Sequence, residues 1–407
     1  MLRPEGEALC ARIRAFADPE RPRPAELARL REGVAPVLVE VALELEAARR
    51  RAGRKLGDAA HLLLDLAGLE QATGLGPARH KAARLAACRQ DDEVVLDLCC
   101  GVGGDLVALA ERGPARGVDA DPLYAAMAAH NAGVEVVVAA AEGFDVEGAV
   151  VHVDPTRREA GAARGRGRRD ASLDGHRPGP DLWRRWLDEA RALCLKLAPG
   201  VALDEVPGAD AGELELLAEG RELKQCLLWA GAAAGQPGTR RATMLAPGLE
   251  GRVAATLVGR PSLPPLAPAL AEAPEGRWLL VPHPSVERAG LVAEALAETG
   301  TRAGELHPGL GLLVAEAPAG PWFEAFRIEA VRPWRPERLR RLLRELDAGP
   351  VELRTRGRAV DAARERAGLQ GRGARRLTVF GLRLGRELRA VVTLRPEDAG
   401  GPAGGAG

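Results

Sequence analysis

Apolar residues recur three and four apart from about Pro24 to Gln90, as in LVEVALELEAARRRAGRKLG (residues 38–57). That is the helical period with one stripe turned inward, and it predicts a helical N-terminal region over residues 1–90. At Asp91 the pattern changes. Short apolar runs, EVVLDL, GVDA, VEVVV, AVVHVDP and LCLKLA, alternate with helical segments as far as Trp229. Such alternation predicts βαβ units and a mostly parallel sheet, an α/β fold class for residues 91–258. The run ELELLAEGRELKQCLLW (213–229) breaks at Gly220 and reads as a terminal antiparallel hairpin. Two further strand candidates lie around Thr243 and Ala255. Residues 259–276, GRPSLPPLAPALAEAPEG, read as a Pro/Gly-rich linker. An α+β connecting region is expected over 277–325. Residues 326–396 read as strand, helix PERLRRLLREL, strand VELRTRG, helix DAARERAGL and two more strands. The tail 397–407, ending GGPAGGAG, is predicted to be disordered.

At 407 residues and 46% apolar, the chain is long enough for two or three domains. Only Lys55, Lys81, Lys196 and Lys224 are lysine; the other 53 basic residues are arginine, which reads as GC-rich coding. Arginine by itself is therefore weak evidence for phosphate binding here. The six cysteines, at 10, 88, 99, 100, 194 and 226, form neither a CxxC pair nor a Cys/His ligand spacing. A reduced, cytoplasmic compartment is expected, with no structural metal and no disulfide framework. The start, MLRPEGEALCARIRAF, lacks the apolar core of a signal peptide. No uncharged run approaches the roughly 20 apolar residues of a membrane span, so no membrane association is expected. The sequence does not disclose an oligomeric state.

The first candidate chemistry is VVLDLCCGVGGDLVALA (94–110), an apolar strand, a glycine turn and a helix start. A turn of this kind brings backbone N–H groups and a helix N-terminus up to a ligand. The dinucleotide pattern GxGxxG, counted from Gly101 and Gly103, would need a small residue at Leu106. The S-adenosylmethionine loop instead wants an acid at the strand end and glycines four and six positions on; Asp97, Gly101 and Gly103 satisfy it, with Cys99 where glycine is usual. The next strand ends in GVDADP, so Asp119 can hold two ribose hydroxyls, though a dinucleotide fold has a carboxylate there too. Leu106 and Asp97 favour S-adenosylmethionine. After the third strand, VEVVVAAAEG, an acid that bonds the adenine amine is expected at Ala140, and Glu142 is the nearest carboxylate. Asp105 reads either as a ligand or as a charge favoured by the helix dipole. The candidate cofactor site is Asp97, Cys99, Gly101, Gly103, Gly104, Asp105, Asp119, Ala120 and Glu142.

A second stretch, VVHVDPTRREAGAARGRGRR (150–169), ends an apolar strand in Asp154-Pro155. Methyl transfer from a sulfonium needs an acceptor aligned within about 3–3.5 Å. A carboxylate at that strand end can accept a hydrogen bond from the acceptor, and proline fixes the turn, so Asp154 and Pro155 are the candidate catalytic residues. Base-modifying enzymes often continue with proline and an aromatic; here Thr156 and Arg157 follow, so no base stacking is expected at this position. His152 fits sheet packing better than proton transfer, and Trp183 and Trp186 fit core packing better than a base platform. Arg157, Arg158, Arg164, Arg166, Arg168 and Arg169 read either as a solvated loop or as a lip that tracks phosphates. Between Phe326 and Arg395, 19 arginines face eight acidic residues, a balance of +11 inside a neutral chain. That concentration is the footprint of nucleic-acid binding, and Arg354, Arg356 and Arg358 flank Gly357 at a strand end.

Four blocks carry a resemblance to a known family: GLEQATGLGPARHKAARLA (68–86), LDLCCGVGGDLVALA with GVDADP (96–122), VDPTRRE (153–159) and VELRTRGRAVDAARERAGLQGRGARRL (351–377). LKLAPG, CLLWAG and VERAGLVAEAL add weaker matches. The chain resembles a bacterial family of class I S-adenosylmethionine-dependent methyltransferases with a C-terminal THUMP-like domain. The resemblance implies a Rossmann-like class I methyltransferase sheet, mostly parallel with a terminal antiparallel hairpin. A helical N-terminal region would precede it and a small α+β THUMP-like domain (326–396) would follow. Because THUMP domains elsewhere present RNA to modification enzymes, it also implies an RNA acceptor, tRNA or rRNA. This sequence departs from the family pattern at Thr156, at Arg354-Thr355-Arg356 and at Ala140. Two other readings stay open: an RNA-binding protein that has lost catalysis, and a methyltransferase acting on protein or a small molecule.

Overall fold

The structure, a computed structural model, describes residues 3–16, 18, 21–157, 173, 175–261 and 274–396. The chain divides into two compact units, Met1–Val258 and Gly259–Gly407.

In the first unit the helical period produces α1 (Pro4–Arg14), α2 (Pro24–Arg31), α3 (Pro36–Leu56), α4 (Leu66–Gln71) and α5 (Leu75–Ala86). Proline opens α3, where its missing N–H costs nothing, and Gly57 at φ 76° closes it. One stripe of α3, Val39, Ala42, Leu45, Ala48 and Ala52, is buried. Glu46 lies in that stripe and is neutralised by Arg49 at 2.8 Å and by Arg14 of α1 at 2.9 Å. The helical core reaches Val102 in the glycine loop. α5 belongs to a different core. Its Leu75, Ala78, Ala82 and Leu85 pack with Val95, Val150, Ala192, Leu227 and Trp229 of the sheet.

The sheet is built from β1 (Val95–Leu98), β2 (Ala115–Asp119), β3 (Val136–Val138) and β4 (Val150–Val153), with α6 (Gly104–Ala110) and α7 (Pro122–Ala132) as crossovers. A two-residue ribbon follows, β5 (Thr156–Arg157) paired antiparallel with β6 (His176–Arg177), then α8 (Pro180–Glu189). β7 (Ala192–Leu197), β8 (Glu213–Glu219), β9 (Glu222–Gly231), β10 (Thr239–Leu245) and β11 (Val253–Gly259) complete it. The nine strands run in the order β11-β10-β8-β9-β7-β4-β1-β2-β3. β3, β2, β1, β4 and β7 are parallel; β8 and β9 form the antiparallel hairpin, with β9 also antiparallel to β7. The order reverses between β1 and β4, and in an open α/β sheet the crevice outside the strand ends at that point takes the ligand.

The second unit has β12 (Trp278–Pro282), α9 (Pro284–Ala289), α10 (Val292–Thr299), β13 (Ala303–Glu305), β14 (Leu313–Ala315) and β15 (Phe323–Pro333). α11 (Pro336–Glu345), β16 (Ala348–Thr355), α12 (Ala362–Glu365), β17 (Arg375–Leu384) and β18 (Glu387–Leu394) follow. Its sheet runs β13-β14-β12-β15-β18-β17-β16. Strands from 277–325 therefore share one sheet with those of 326–396, and pairing continues across the boundary drawn from sequence. α11 buries Leu339 and Leu343 and exposes Arg338, Arg340, Arg341 and Arg344. The predicted linker falls largely on 262–273, and the predicted disordered tail on 397–407; both stretches lie outside the described residues.

Candidate active site

The carboxyl ends of four strands converge on a cavity of about 1180 Å³. β1 contributes Asp97, β2 ends in Asp119, β4 runs into Asp154-Pro155, and β7 supplies Lys196. Between β1 and α6 the backbone turns through left-handed residues, Cys99 at φ 59°, Gly101 at 54° and Gly103 at 88°. Among the described residues a Cβ added at Gly101 would meet nothing within 4 Å. At Gly103 it would come 3.1 Å from Ala128 Cα, and at Gly104 3.0 Å from Thr73 N. Gly103 thus lets α7 approach, and Gly104 lets the segment before α5 lie across the loop. Leu106, which spoils the dinucleotide pattern, is fully buried, and a Cβ at Gly117 of β2 would meet its Cδ2 at 2.8 Å.

Asp119 is fixed from two sides. Gly101 N–H donates to its Oδ2 at 2.8 Å and Asp121 N–H to its Oδ1 at 2.9 Å. Asp97 is fully buried, and its Oδ1 lies 2.7 Å from His152 Nδ1 on the adjacent strand. His152 Nε2 lies 3.1 Å from Lys81 Nζ. An ammonium only donates, so His152 accepts at Nε2 and carries its proton on Nδ1, donating to Asp97. Lys81, from α5, also pairs with Asp105 at 2.7 Å, and Thr73 Oγ1 donates to Asp105 Oδ2 at 2.6 Å. Burial pushes the Asp97 carboxyl up. For Asp105 burial opposes the charge as well, but Lys81, His152 and Lys196 together outweigh it and hold the carboxyl well below its ordinary value. Lys196 lies 2.5 Å from Asp154 Oδ2; burial works against its charge, yet Asp154 and Asp105 raise its pKa. Burial, then Asp119 and Asp154, push the Cys99 thiol up, so it stays protonated and poorly nucleophilic.

Residues 323–395 match a family model described as THUMP domain-like. Proteins from two Mycobacterium tuberculosis strains, CDC 1551 / Oshkosh and ATCC 25618 / H37Rv, are each 33% identical over 367 residues, 86% of this chain and 93% of theirs. Both are named as uncharacterized S-adenosylmethionine-dependent methyltransferases. This chain belongs to that methyltransferase family. A structure named as a candidate methyltransferase from Porphyromonas gingivalis W83 shares the fold, with a TM-score of 0.70 over 96% of this chain and 98% of that one at 17% identity.

The methyltransferase uses S-adenosylmethionine, and its residues fit that cofactor. Among the described residues Asp97 Oδ2 is buried without a partner, a suitable acceptor for a cationic ligand, and Asp119 is pinned where it can take a pair of hydroxyls. When bound, the cofactor supplies a methyl group already activated by its sulfonium. Asp97, Cys99, Gly101, Gly104, Asp105, Asp119, Ala120, Asp154 and Pro155 all line the cavity. Glu142 does not; it is exposed on a 3-10 turn, and its carbonyl accepts from Arg185 at 3.1 Å. Trp183 and Trp186 are fully buried, as core packing requires.

The basic candidates fare differently. Arg158, Arg164, Arg166, Arg168 and Arg169 lie outside the described residues, and Arg157 is described only as backbone of β5. Arg354 forks onto Glu324 at 2.7 and 3.0 Å, and Arg356 lies 2.5 Å from Glu287. Both were expected to offer charge to a ligand; here they pair with Glu324 of β15 and Glu287 of α9. Arg358 is exposed. The lysines were missed as site residues: Lys55, Lys196 and Lys224 line the cavity and Lys81 lies beneath its floor. Their rarity among 57 basic residues was the available signal. Among the described residues no helix is long and apolar enough to cross a membrane, and no His/Cys/Asp/Glu group could hold a metal ion.

Proposed function

We propose that the methyltransferase modifies RNA, with Asp154 and Pro155 positioning the acceptor and the second unit holding the RNA. The observation that carries this reading is the THUMP domain-like match over 323–395, a segment in which arginine far outnumbers acid. The exposed arginines of α11, rather than Arg354 and Arg356, are the groups placed to meet phosphate. In the cavity, Asp154 beside the Lys196 ammonium accepts a hydrogen bond from the acceptor N–H or O–H and turns its lone pair toward the methyl. The side chain of Asp154 is 30% exposed, so the proton released after transfer can leave through it to solvent.

The test uses the full chain with tritiated S-adenosylmethionine and bulk tRNA and rRNA. Label is expected in one RNA fraction, and Asp154→Ala is expected to cut transfer by about 100-fold or more while cofactor affinity stays within about threefold. Label in protein or small molecules but not in RNA would overturn the reading.

A further inference from the structure

Beneath the cavity floor, side chains from β9, the segment before α5, α6, α5, β4 and β1 form one hydrogen-bonded chain. Gln225 Nε2 donates to Thr73 Oγ1 at 3.4 Å, and the Thr73 hydroxyl donates to Asp105 Oδ2 at 2.6 Å. Lys81 Nζ pairs with Asp105 Oδ1 at 2.7 Å and meets His152 Nε2 at 3.1 Å; His152 Nδ1 in turn lies 2.7 Å from Asp97 Oδ1. No member is more than 6% exposed.

The direction of each bond follows from its neighbours. The Thr73 hydrogen is spent on Asp105, so Thr73 Oγ1 accepts, and the amide group facing it is the NH2 of Gln225. Lys81 only donates, so the imidazole accepts at Nε2 and carries its one proton on Nδ1, toward Asp97. The donors thus point into the chain, and its two ends are acceptors. Among the described residues Asp97 Oδ2 and Gln225 Oε1 have no hydrogen-bond partner, and both residues line the cavity. A buried acceptor left unmade costs stability that a donor on a ligand would restore.

Charge points the same way. Lys81 brings one positive charge to the two carboxylates of Asp97 and Asp105, and the cavity lining holds seven carboxylates against four Lys/Arg side chains. A cation completes this floor and an anion does not. Residue choice agrees: arginine fills 53 of the 57 basic positions, yet position 81 keeps lysine, where one nitrogen must reach Asp105 and His152 at once.

We infer that His152 and Lys81 are positioning residues of the cofactor site. Lys81 fixes the imidazole with its proton on Nδ1, and that proton pins Asp97 Oδ1 and leaves Oδ2 to accept from the α-ammonium of S-adenosylmethionine. Neither residue lines the cavity; both act through Asp97. The inference concerns the methyl donor alone and is independent of the RNA reading. An N–H of the methyl-accepting substrate could also fill Asp97 Oδ2, and the experiment separates the two sources.

The full chain is labelled with nitrogen-15 at histidine and given S-adenosylhomocysteine or its analogue with the α-ammonium replaced by hydrogen. In the free protein near neutral pH, the His152 ring, assigned with His152→Asn, is expected to be neutral and protonated at Nδ1. S-adenosylhomocysteine is expected to shift that Nδ1 resonance, and the saturating deaminated analogue to leave it in place. Calorimetry on the unmutated chain is expected to favour the ammonium-bearing ligand by about 30-fold. His152→Leu is expected to cut that preference to about threefold, with the deaminated analogue bound within about twofold of its affinity for the unmutated chain. His152→Asn keeps an amide donor where Nδ1 stood and is expected to retain a preference of about tenfold or more. A merely structural loss would weaken both ligands together, so an unchanged preference in His152→Leu overturns the inference. A ring protonated on Nε2 or on both nitrogens overturns it too. Equal binding of the two ligands by the unmutated chain would also overturn it, and would assign Asp97 Oδ2 to the methyl-accepting substrate. The ring signals and the two affinities are read on the unmutated chain, so they decide the matter even where His152→Leu fails to fold.

Discussion

Cys99 sits at φ 59°, in a turn where a side chain costs about 1–2 kcal/mol relative to right-handed backbone. Glycine removes that cost but loosens the unfolded chain by about 0.4–1 kcal/mol. Cys99→Gly is therefore expected to raise stability by up to about 1 kcal/mol in urea unfolding, without loss of cofactor affinity. Glu215 is the opposite case, a fully buried carboxylate satisfied by His80 Nε2 at 2.9 Å, Trp229 Nε1 at 2.7 Å and the Thr243 hydroxyl. Burial opposes its charge, yet His80, Thr243 and Arg84 hold its pKa at about 2 instead of 4.5. A depressed folded value means its contribution is complete above pH 4.5 and is lost as pH falls toward 2. Glu215→Ala is expected to cost about 3–5 kcal/mol at pH 7 and to flatten the acid limb of the stability curve. Asp97 and Gly101 were legible because a turn fixes their spacing along the chain, and Asp119 because it ends the next apolar strand. Lys81 was not, since its partners Asp105 and His152 lie 24 and 71 residues away and only the packed sheet brings them together.

At the scale of elements, the strand and helix order followed from periodicity, including the hairpin of β8 and β9 and the strands around Thr243 and Ala255. Periodicity could not say where those elements dock. α5 carries an ordinary helical stripe, yet that stripe packs on the sheet rather than with α1–α3, and β12–β14 join a sheet with β15–β18. Both outcomes depend on which apolar face finds which, and a stripe does not name its partner. The segment ahead of α5 also touches the site, because Thr73 lies against Gly104 of the cofactor loop. Gly104→Ala would drive its Cβ to 3.0 Å from Thr73 N and 3.1 Å from Thr73 O, both main-chain atoms. It is expected to lower stability by about 1–3 kcal/mol and to weaken S-adenosylmethionine binding in calorimetry.

The molecule as a whole is neutral, while residues 326–395 carry the +11 balance of 19 arginines over eight acids. If RNA is held there, log affinity falls linearly with log salt, and the slope counts displaced counterions. The double variant Arg338→Gln, Arg341→Gln is expected to reduce that slope by about two in filter-binding titrations. Arg354→Gln should leave the slope unchanged and instead destabilise the second unit, because Glu324 loses the two-pronged bond from Arg354 and keeps Arg395 at 3.1 Å. Within the first unit, the segment over the cofactor loop is fastened from far along the chain. A Cβ at Gly76 would meet Gly248 O at 2.6 Å, one at Gly251 would meet Gly76 O at 2.4 Å, and Arg79 bonds Leu249 O across 170 residues. At about 5–20 residues per second, a ribosome takes roughly ten to thirty seconds to deliver residue 251 after residue 76. Throughout that interval α5 has an apolar stripe and no complete sheet to cover it. The cofactor pocket is thus among the last parts of its unit to close. A nascent chain released before residue 251 would carry the whole glycine loop and Asp154, yet no finished place for the methyl donor.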